Sequence, residues 1–316
     1  MLKIHFINVA DGDAILLEHS YEEKTRYILI DTGRSVLQDD PLSKRMLAVD
    51  YLKRADVMRL EGLIITHLHL DHSAGLENIL NAGIAVDNIY ASFFPPADAD
   101  DIMADSACVK TIRNLIGSLN IYHQNCKRLR QSGCAFVEVT DTRDFFFEDL
   151  HIKIICTDPL ANKAQNSIFS DLFYQNIAVD ADDVYAAAAA RNPNSLRVRI
   201  TYRGKIIELA GDSYGSLWEN EKLDRCDIFK LPHHGDQKSI TPTIAEKLYP
   251  RYAVISCQRA YMPEKDRPSL QMAQMLLSRG CKVYFTDSFG APWNDAVCDW
   301  DACVFTITDN GDIVAP

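Results

Sequence analysis

The chain has 316 residues, of which 47% are hydrophobic and 24% are charged, and this composition excludes collagen-like and disordered proteins. A formal net charge of −11 at pH 7 argues against broad adhesion to nucleic acid or to anionic membranes, although it leaves room for a local basic groove. No apolar run approaches the roughly 20 residues that span a bilayer, and the start lacks the features of a signal peptide. The nine cysteines are scattered without a CxxC pair, so we expect a cytoplasmic protein with mostly reduced, buried thiols.

The first half of the chain begins with a predicted meander of three strands. They are residues 2–9, 14–19 and 26–31, which alternate or run apolar between Asp-Gly and charged turns. Apolar side chains at helical spacing then predict a helix over residues 42–54. A short β run at residues 62–66 follows, and a polar segment leads from it into a predicted helix from about residue 73 to 82.

Two segments interrupt the strand pattern. Residues 95–133 begin with Pro-Pro and continue with apolar side chains at helical spacing, which predicts a helical insertion over one rim of the core. Residues 158–193 show no clear period and are interpreted as an irregular insertion. Its alanine run at 186–190 is interpreted as a short helix or an ordered linker.

Strands resume in the second half of the chain. They are predicted at 195–203 and 205–210, followed by a strand at 227–231, a helix near 243–249, a strand at 252–257, a helix at 269–279 and strands at 282–286, 302–308 and 312–314. The halves 1–157 and 195–316 therefore have similar layouts, and two sheets packed face to face with helices outside both would bury these strands. We predict one α/β domain over residues 1–316, a four-layer αββα sandwich.

The strongest functional signal is the segment THLHLDH at residues 66–72, which follows an apolar run. Residues two apart in an extended chain point the same way, so His67 and His69 present their imidazoles together. Asp71 and His72 lie where the chain enters a helix, and Asp71 can cap that helix while its carboxylate faces a second ion. Imidazole and carboxylate suit zinc, manganese or iron, whereas the alternative is a polar loop with chance histidines.

Further candidate ligands follow three other predicted strands. Asp31 ends the strand YILID, Asp212 follows the strand at 205–210, and the pair His233 and His234 follows the strand at 227–231. Taken alone, each aspartate is equally explained as a turn residue and the histidine pair as surface. Their shared position after β runs, together with the THLHLDH segment, favours one common site.

These segments resemble the metallo-β-lactamase superfamily and, within it, the hydrolase domain of the competence DNA-uptake protein ComEC and its free-standing relatives. The segments that carry the resemblance are HFINVADGDAILLE, ILIDTG, THLHLDHSAGL, NSLRVRITYRGKIIELAGD, FKLPHHGD, YAVISC and KVYFTDSFGA. They extend from residue 4 to beyond 290 and leave out mainly the two insertions. The resemblance implies that the four-layer sandwich has the metallo-β-lactamase fold.

The resemblance also implies two divalent metal ions, with zinc expected and manganese as an alternative. The implied ligands are His67 and His69 at the first ion, Asp71, His72 and His234 at the second, and Asp212 between the two. Asp212 would also take a proton, and turnover would depend on Asp71 as well. His233 is the less favoured ligand of the second ion, and otherwise it would donate a hydrogen bond to the substrate or the leaving group.

Other positions would act around the metal ions. The resemblance implies that Asp31 orients the ligands without binding metal, and Asp13 matches a family position near the site but is equally explained as a hairpin turn residue. Many superfamily members have a further histidine where this chain has Asn194, which could reach the metal or hold a water. ComEC-like proteins often have a histidine at the position of Arg267, which would clamp a phosphate oxygen but cannot serve as a general acid.

The expected reaction is hydrolysis by a hydroxide held between two metal ions, which attacks phosphorus or a carbonyl carbon. A phosphodiester substrate is favoured, either single-stranded nucleic acid or a small molecule, because the ComEC resemblance implies it. The alternatives are a carboxyl-ester, lactone or thioester hydrolase on the same fold and a non-catalytic, metal-stabilised interaction module.

Overall fold

Two large β-sheets form the centre of the structure, a computed structural model that describes residues 1–103, 109–174, 180–258, 266–287 and 300–316. The first sheet contains β1 (Leu2–Ile7), β2 (Ile15–Tyr21), β3 (Lys24–Ile30), β5 (Gly62–Ile64), β7 (Asn88–Ala91), β8 (Ala135–Glu138), β16 (Ala302–Ile307) and β17 (Ile313–Val314). The second contains β9 (Arg143–Phe147), β10 (Leu150–Ile155), β11 (Arg197–Tyr202), β12 (Lys205–Leu209), β13 (Ile228–Lys230), β14 (Tyr252–Ile255) and β15 (Lys282–Phe285). A small parallel pair is formed by β4 (Arg59–Leu60) and β6 (Ala85–Val86).

The two sheets share one layout. In the first, β1, β2 and β3 form an antiparallel meander, and β5, β7 and β8 continue from β3 in parallel. In the second, β9 to β12 form the meander, and β13, β14 and β15 continue from β12 in parallel. The sequence boundary near residue 157 was placed too late, because β9 and β10 already belong to the second sheet, and β16 returns to pair with β1.

Helices cover the outer faces of both sheets. They are α1 (Ala48–Arg54), α2 (Leu70–Ser73), α3 (Leu76–Asn81), α4 (Lys110–Gln131), α5 (Pro159–Tyr174), α6 (Ala181–Ala189), α7 (Pro242–Leu248) and α8 (Leu270–Leu277). Alternate residues of each strand face opposite sides, so that Ile4 packs between the sheets while Ile7 packs under the helices. A third cluster lies between the second sheet and the last two helices, α7 and α8. The predicted four-layer αββα sandwich is confirmed.

Two predicted segments differ from the structure. The helix expected over 42–54 begins only at Ala48, because Leu42 is 69% exposed and does not belong to the buried apolar stripe. The segment 158–193, expected to be irregular, forms α5 and α6, and the alanine run forms the last turn of α6 and its C-cap. Its order comes from Phe169 and Phe173, which are four residues apart on α5 and both contact Phe93.

The helix predicted within 95–133 is present as α4. It connects the parallel strands β7 and β8, and its apolar face lies in the outer layer of the first sheet. None of the helices within the described ranges is long and apolar enough to cross a membrane. The seven cysteines that the structure describes are buried, as expected, and the end of the KVYFTDSFGA segment, residues 288–291, lies outside the described residues.

Candidate metal centre

The ends of four strands from both sheets meet at one edge of the sandwich. Asp31 follows β3, the segment 66–72 follows β5, Asp212 follows β12, and the pair 233–234 follows β13. Each of these strands belongs to the parallel part of its sheet or borders it, so their carboxyl ends point to the same side. The fold therefore brings together side chains that are far apart in sequence.

His67, His69 and Asp212 form a first cluster, in which one ligand atom from each residue lies within 4.8 Å of the others. The His67 Nε2 lies 2.9 Å from His69 Nδ1 and 3.7 Å from Asp212 Oδ2. Behind the ring, His67 Nδ1 contacts the Thr66 hydroxyl at 3.1 Å and the Ser195 hydroxyl at 3.3 Å. These contacts leave Nε2 directed at the cluster.

Asp71, His72 and His234 form a second cluster beside the first. The His234 Nε2 lies 3.6 Å from Asp71 Oδ2 and 3.9 Å from Asp212 Oδ1. The His72 Nε2 lies 3.3 Å from that same Asp212 oxygen. One oxygen of Asp212 thus faces each cluster, the position that a carboxylate bridging two cations requires.

Several atoms of these clusters are buried without a hydrogen-bond partner among the described residues. They are His72 Nε2, Asp212 Oδ1 and both ring nitrogens of His234. Buried polar atoms are normally paired, because an unpaired one costs about 1–3 kcal/mol. Divalent cations would satisfy these atoms, and the mixture of imidazole and carboxylate suits zinc or manganese. The residues present therefore fit two metal ions.

The protonation states of His67, His69 and Asp212 agree with this use. Burial, together with neighbouring positive charge, lowers the pKa of His67 well below its usual value and that of His69 to about 4, so both imidazoles are neutral at pH 7. Burial alone would raise the pKa of Asp212, but the nearby His72 and His234 hold it well below its usual range. Burial alone would lower the pKa of His72, but Asp212 and Asp31 raise it well above normal, which shows how negative its surroundings are.

Asp31 supports the two clusters from behind. Its Oδ2 accepts hydrogen bonds from His72 Nδ1 and the Thr66 hydroxyl, both at 2.7 Å, and its Oδ1 accepts one from the Thr66 backbone at 2.8 Å. The backbone of Asp31 is left-handed, with φ of 57°. Asp31 orients His72 and has no atom in either cluster of potential ligands.

Asp13 lies between the site and a buried lysine. Its carboxylate forms an ion pair with Lys230, which is fully buried and also donates to the Gly211 carbonyl at 3.2 Å. Asp13 also lies 3.8 Å from His72 and 3.9 Å from His234. Sequence reasoning missed Lys230, although a charged residue inside the apolar strand DIFKL was a usable signal.

The side chain of Asn194, at the position of the missing histidine, is bound to α5 through its amide nitrogen. Its amide nitrogen lies 3.2 Å from Gln165 Oε1 and 3.4 Å from the Ala161 carbonyl, so α5 holds the side chain. The neighbouring Ser195 contacts the centre instead, because its hydroxyl accepts a hydrogen bond from the Asp212 backbone at 3.1 Å and touches His67. Ser195 was not singled out from the sequence, where nothing marks a serine before a strand as functional.

His233 and His234 have different positions despite being adjacent. The His233 Nε2 lies 2.5 Å from Arg267 Nη2, and its Nδ1 lies 2.5 Å from Asp236 Oδ2. A guanidinium can only donate, so the His233 Nε2 accepts in this contact. In this arrangement Arg267 contacts the His233 Nε2, and donation from His233 to the substrate or the leaving group stays a prediction. Only His234 joins the second cluster.

Arg267 lies at the rim of the centre and is 7% exposed. Besides its contact with His233, its Nη1 lies 3.5 Å from Asp11 Oδ1, and Asp11 Oδ1 lies 4.0 Å from His234 Nε2. The guanidinium is thus held one residue away from the second cluster. Asp11 was also missed in the sequence, where only its neighbour Asp13 was considered.

Two glycine-containing turns hold the main chain of the THLHLDH segment. The Asp13 backbone donates to the Asp71 carbonyl at 3.1 Å, and the Thr32 backbone donates to the His72 carbonyl at 2.7 Å. The Gly75 nitrogen in turn donates to the Gly33 carbonyl at 2.9 Å. A Cβ added at Gly75 would lie 2.0 Å from the Thr32 carbonyl oxygen, so this close contact requires glycine.

We expect Gly75→Ala to lower the free energy of unfolding by about 3 kcal/mol or more, because the clash is with backbone that cannot move aside. Gly117→Ala is the matched control. Gly117 lies within the long helix α4, and a Cβ added there would meet nothing within 4 Å. The control should keep or slightly raise stability. Urea denaturation followed by circular dichroism measures both. Equal midpoints for Gly75→Ala and the unchanged protein would contradict the proposed contact.

Residues 8–97 match the family model described as the Metallo-beta-lactamase superfamily, a span that includes Asp31 and the THLHLDH segment. This match agrees with the predicted superfamily over the matched residues, and the closer resemblance to the ComEC group stays a prediction. No curated protein sequence matches the chain significantly.

Several solved structures are similar over most of the chain. The metallo-beta-lactamase fold protein YhfI from Bacillus subtilis matches 90% of this chain and 96% of its own, with 11% identity and a TM-score of 0.47. The diiron beta-hydroxylase CmlA from Streptomyces venezuelae matches 90% of this chain with 11% identity and a TM-score of 0.48, and this chain covers 52% of CmlA. A diphosphatase from the PhnP family matches 87% of this chain and 81% of its own, with 13% identity and a TM-score of 0.43. This chain thus spans about half the length of CmlA, and these likenesses carry no information about its substrate.

Proposed function

We propose that this chain, which has the metallo-β-lactamase fold and matches that superfamily over its first ligand segment, is a dinuclear metal-dependent hydrolase. The observation that carries the proposal is the convergence of unpaired, buried ligand atoms from the ends of strands in both sheets. Asp212 has an oxygen facing each cluster, and it is buried among imidazoles that keep it ionised. A purely structural role would not need six such side chains, three of which have unpaired buried atoms.

Different residues of the chain have different roles in the proposed reaction. Two divalent ions bound here would supply a Lewis acid that activates water and stabilises the negative charge that develops on the substrate. Asp212 is the carboxylate placed to accept a proton at the centre. Asp31 fixes the orientation of His72, and His233 holds the guanidinium of Arg267 at the rim.

We infer that the substrate is a phosphodiester, which agrees with the resemblance to the ComEC group. Arg267 supports this inference, because a guanidinium can bind two phosphate oxygens at once. Arg34 also lies at the edge of the second cluster, with its Nη2 3.6 Å from Asp71 Oδ2. Positive side chains beside the metal ligands suit an anionic substrate better than a neutral ester. A single-stranded nucleic acid or a small phosphodiester fits this chemistry.

We expect the protein loaded with zinc or manganese to hydrolyse bis(p-nitrophenyl) phosphate, with release of p-nitrophenol measured by absorbance. The same protein should act weakly or not at all on p-nitrophenyl acetate, a lactone or a thioester. Metal-free protein serves as the control, and elemental analysis establishes the metal content of each sample. Turnover of the esters alone would favour the carboxyl-ester hydrolase, and no turnover with metal bound would favour the non-catalytic module.

A further inference from the structure

A cavity of about 300 Å³ lies beside the second cluster. The polar side chains in its wall are Asp11, Arg34, Gln38, Arg45 and Gln258. Arg34 connects the cavity to the metal centre, because the Asp71 oxygen that lies 3.6 Å from its Nη2 also lies 3.6 Å from His234 Nε2. A molecule that reaches the second cluster can therefore extend into this cavity.

Arg34 is oriented in advance but not fully engaged. Its Nε donates to the Asp11 carbonyl at 3.2 Å, which fixes the direction of the side chain. Its Nη2 lies 3.6 Å from both the Asp11 and the Asp71 carboxylates, distances longer than a hydrogen bond. The side chain is 41% exposed. Its terminal N–H groups are thus available to an incoming anion.

Arg45 provides a second guanidinium in the same cavity. Its side chain is 11% exposed, and its Nε is buried without a hydrogen-bond partner among the described residues. Its Nη2 lies 3.8 Å from Asp40 Oδ2, a distance longer than a hydrogen bond. Because buried donors are normally paired, this orphaned group points to a ligand oxygen that would complete it.

We propose that this cavity is an anion subsite, which binds a second phosphate group of the substrate that is not itself hydrolysed. Two guanidinium groups match the charge and the planar geometry of phosphate oxygens, and the two glutamine amides add neutral donors. The volume accommodates one phosphate with a few further atoms. The inference rests on the proposed hydrolase function for its position along a substrate, while binding of the anion is independent of turnover.

The kinetic test uses two esters that differ by one phosphate. They are thymidine 5′-(p-nitrophenyl phosphate) and the same ester with a phosphate on the 3′ oxygen. We expect the phosphorylated ester to show a KM about tenfold lower at similar kcat, as a charge-assisted contact predicts. Arg45→Gln should remove most of that preference. Arg59→Gln is the control, because Arg59 is an exposed arginine outside the cavity, paired with Asp87.

The binding test measures thymidine 3′,5′-bisphosphate by calorimetry with the metal-loaded protein and the same two variants. We expect Arg45→Gln to weaken binding about tenfold and Arg59→Gln to leave it unchanged. A 5′-phosphorylated trinucleotide and its 5′-hydroxyl form separate a strand end from a small molecule as the source of the phosphate. A preference for the phosphorylated member of any pair supports the subsite only if Arg45→Gln removes it.

The two proposals fail in different ways. Hydrolysis of both thymidine esters with equal KM, together with unchanged binding in Arg45→Gln, would overturn the subsite and leave the hydrolase intact. Binding that depends on Arg45 without hydrolysis of either ester would support the subsite and contradict the proposed phosphodiesterase activity.

Discussion

Asp212→Ala is expected to abolish turnover, with kcat lowered on the order of 10³-fold or more, because one side chain serves both clusters. Its Oδ2 lies 3.7 Å from His67 Nε2, and its Oδ1 lies 3.3 Å from His72 Nε2. The substitution removes the only carboxylate, within the described residues, that faces both groups of ligands. Asp71→Ala should also abolish turnover, since it deprives the second cluster of its own carboxylate.

A control variant distinguishes loss of catalysis from loss of folding in these two variants. Asp224→Ala is the matched control, because this aspartate is 65% exposed and pairs with Arg199 away from the centre. Circular dichroism should show folded protein for all three variants, and elemental analysis should show reduced metal only for Asp71→Ala and Asp212→Ala. Full activity of folded, metal-loaded Asp212→Ala would rule out the bridging role.

Removal of metal by a chelator is expected to lower Tm by on the order of 10 °C. Binding at about 1,000 times Kd stabilises a protein by about 4 kcal/mol, and one kcal/mol shifts Tm by about 2–4 °C in larger domains. The physical reason is the set of unpaired ligand atoms, such as His72 Nε2 and Asp212 Oδ1, which regain partners when a cation binds. Differential scanning calorimetry with and without added zinc or manganese measures the shift.

A pair of histidine variants tests whether the stabilisation belongs to the centre. His234→Ala removes a buried residue of the second cluster and should lose most of the metal-dependent shift. His151→Ala changes a partly exposed histidine that pairs with Asp144, and it should keep the shift. Identical melting with and without metal in the unchanged protein would count against a metal centre.

Most of the fold was predictable from apolar alternation and from turn residues. The strand β1 and its neighbours match the pattern because one face of each is buried between the sheets. β10 was missed although Leu150–Ile155 alternates buried and partly buried positions, so its signal was present and was not used. β9 was harder, because Arg143–Phe147 has no buried position. Helix α5 escaped because its order depends on contacts with Phe93 that are distant in sequence.

The candidate site was predictable where chemistry and strand ends coincide. The segment 66–72, Asp212 and His234 share both properties, and the structure brings them together. The supporting residues were not predictable in the same way, because their roles depend on which backbones the fold places next to each other. Ser195 contacts His67 across 128 positions of sequence, and no local pattern reports such a contact.

In the THLHLDH segment the main chain and the side chains have separate roles. The main chain holds the segment to its two neighbouring turns, and the side chains supply the candidate metal ligands. The carbonyls of Asp71 and His72 accept hydrogen bonds from the backbone N–H groups of Asp13 and Thr32, so the segment is held by its main chain. The candidate ligand side chains extend from this main chain and take no part in these two hydrogen bonds. Substitution of one candidate ligand by another should therefore change the preferred ion or reaction without changing the backbone of the segment.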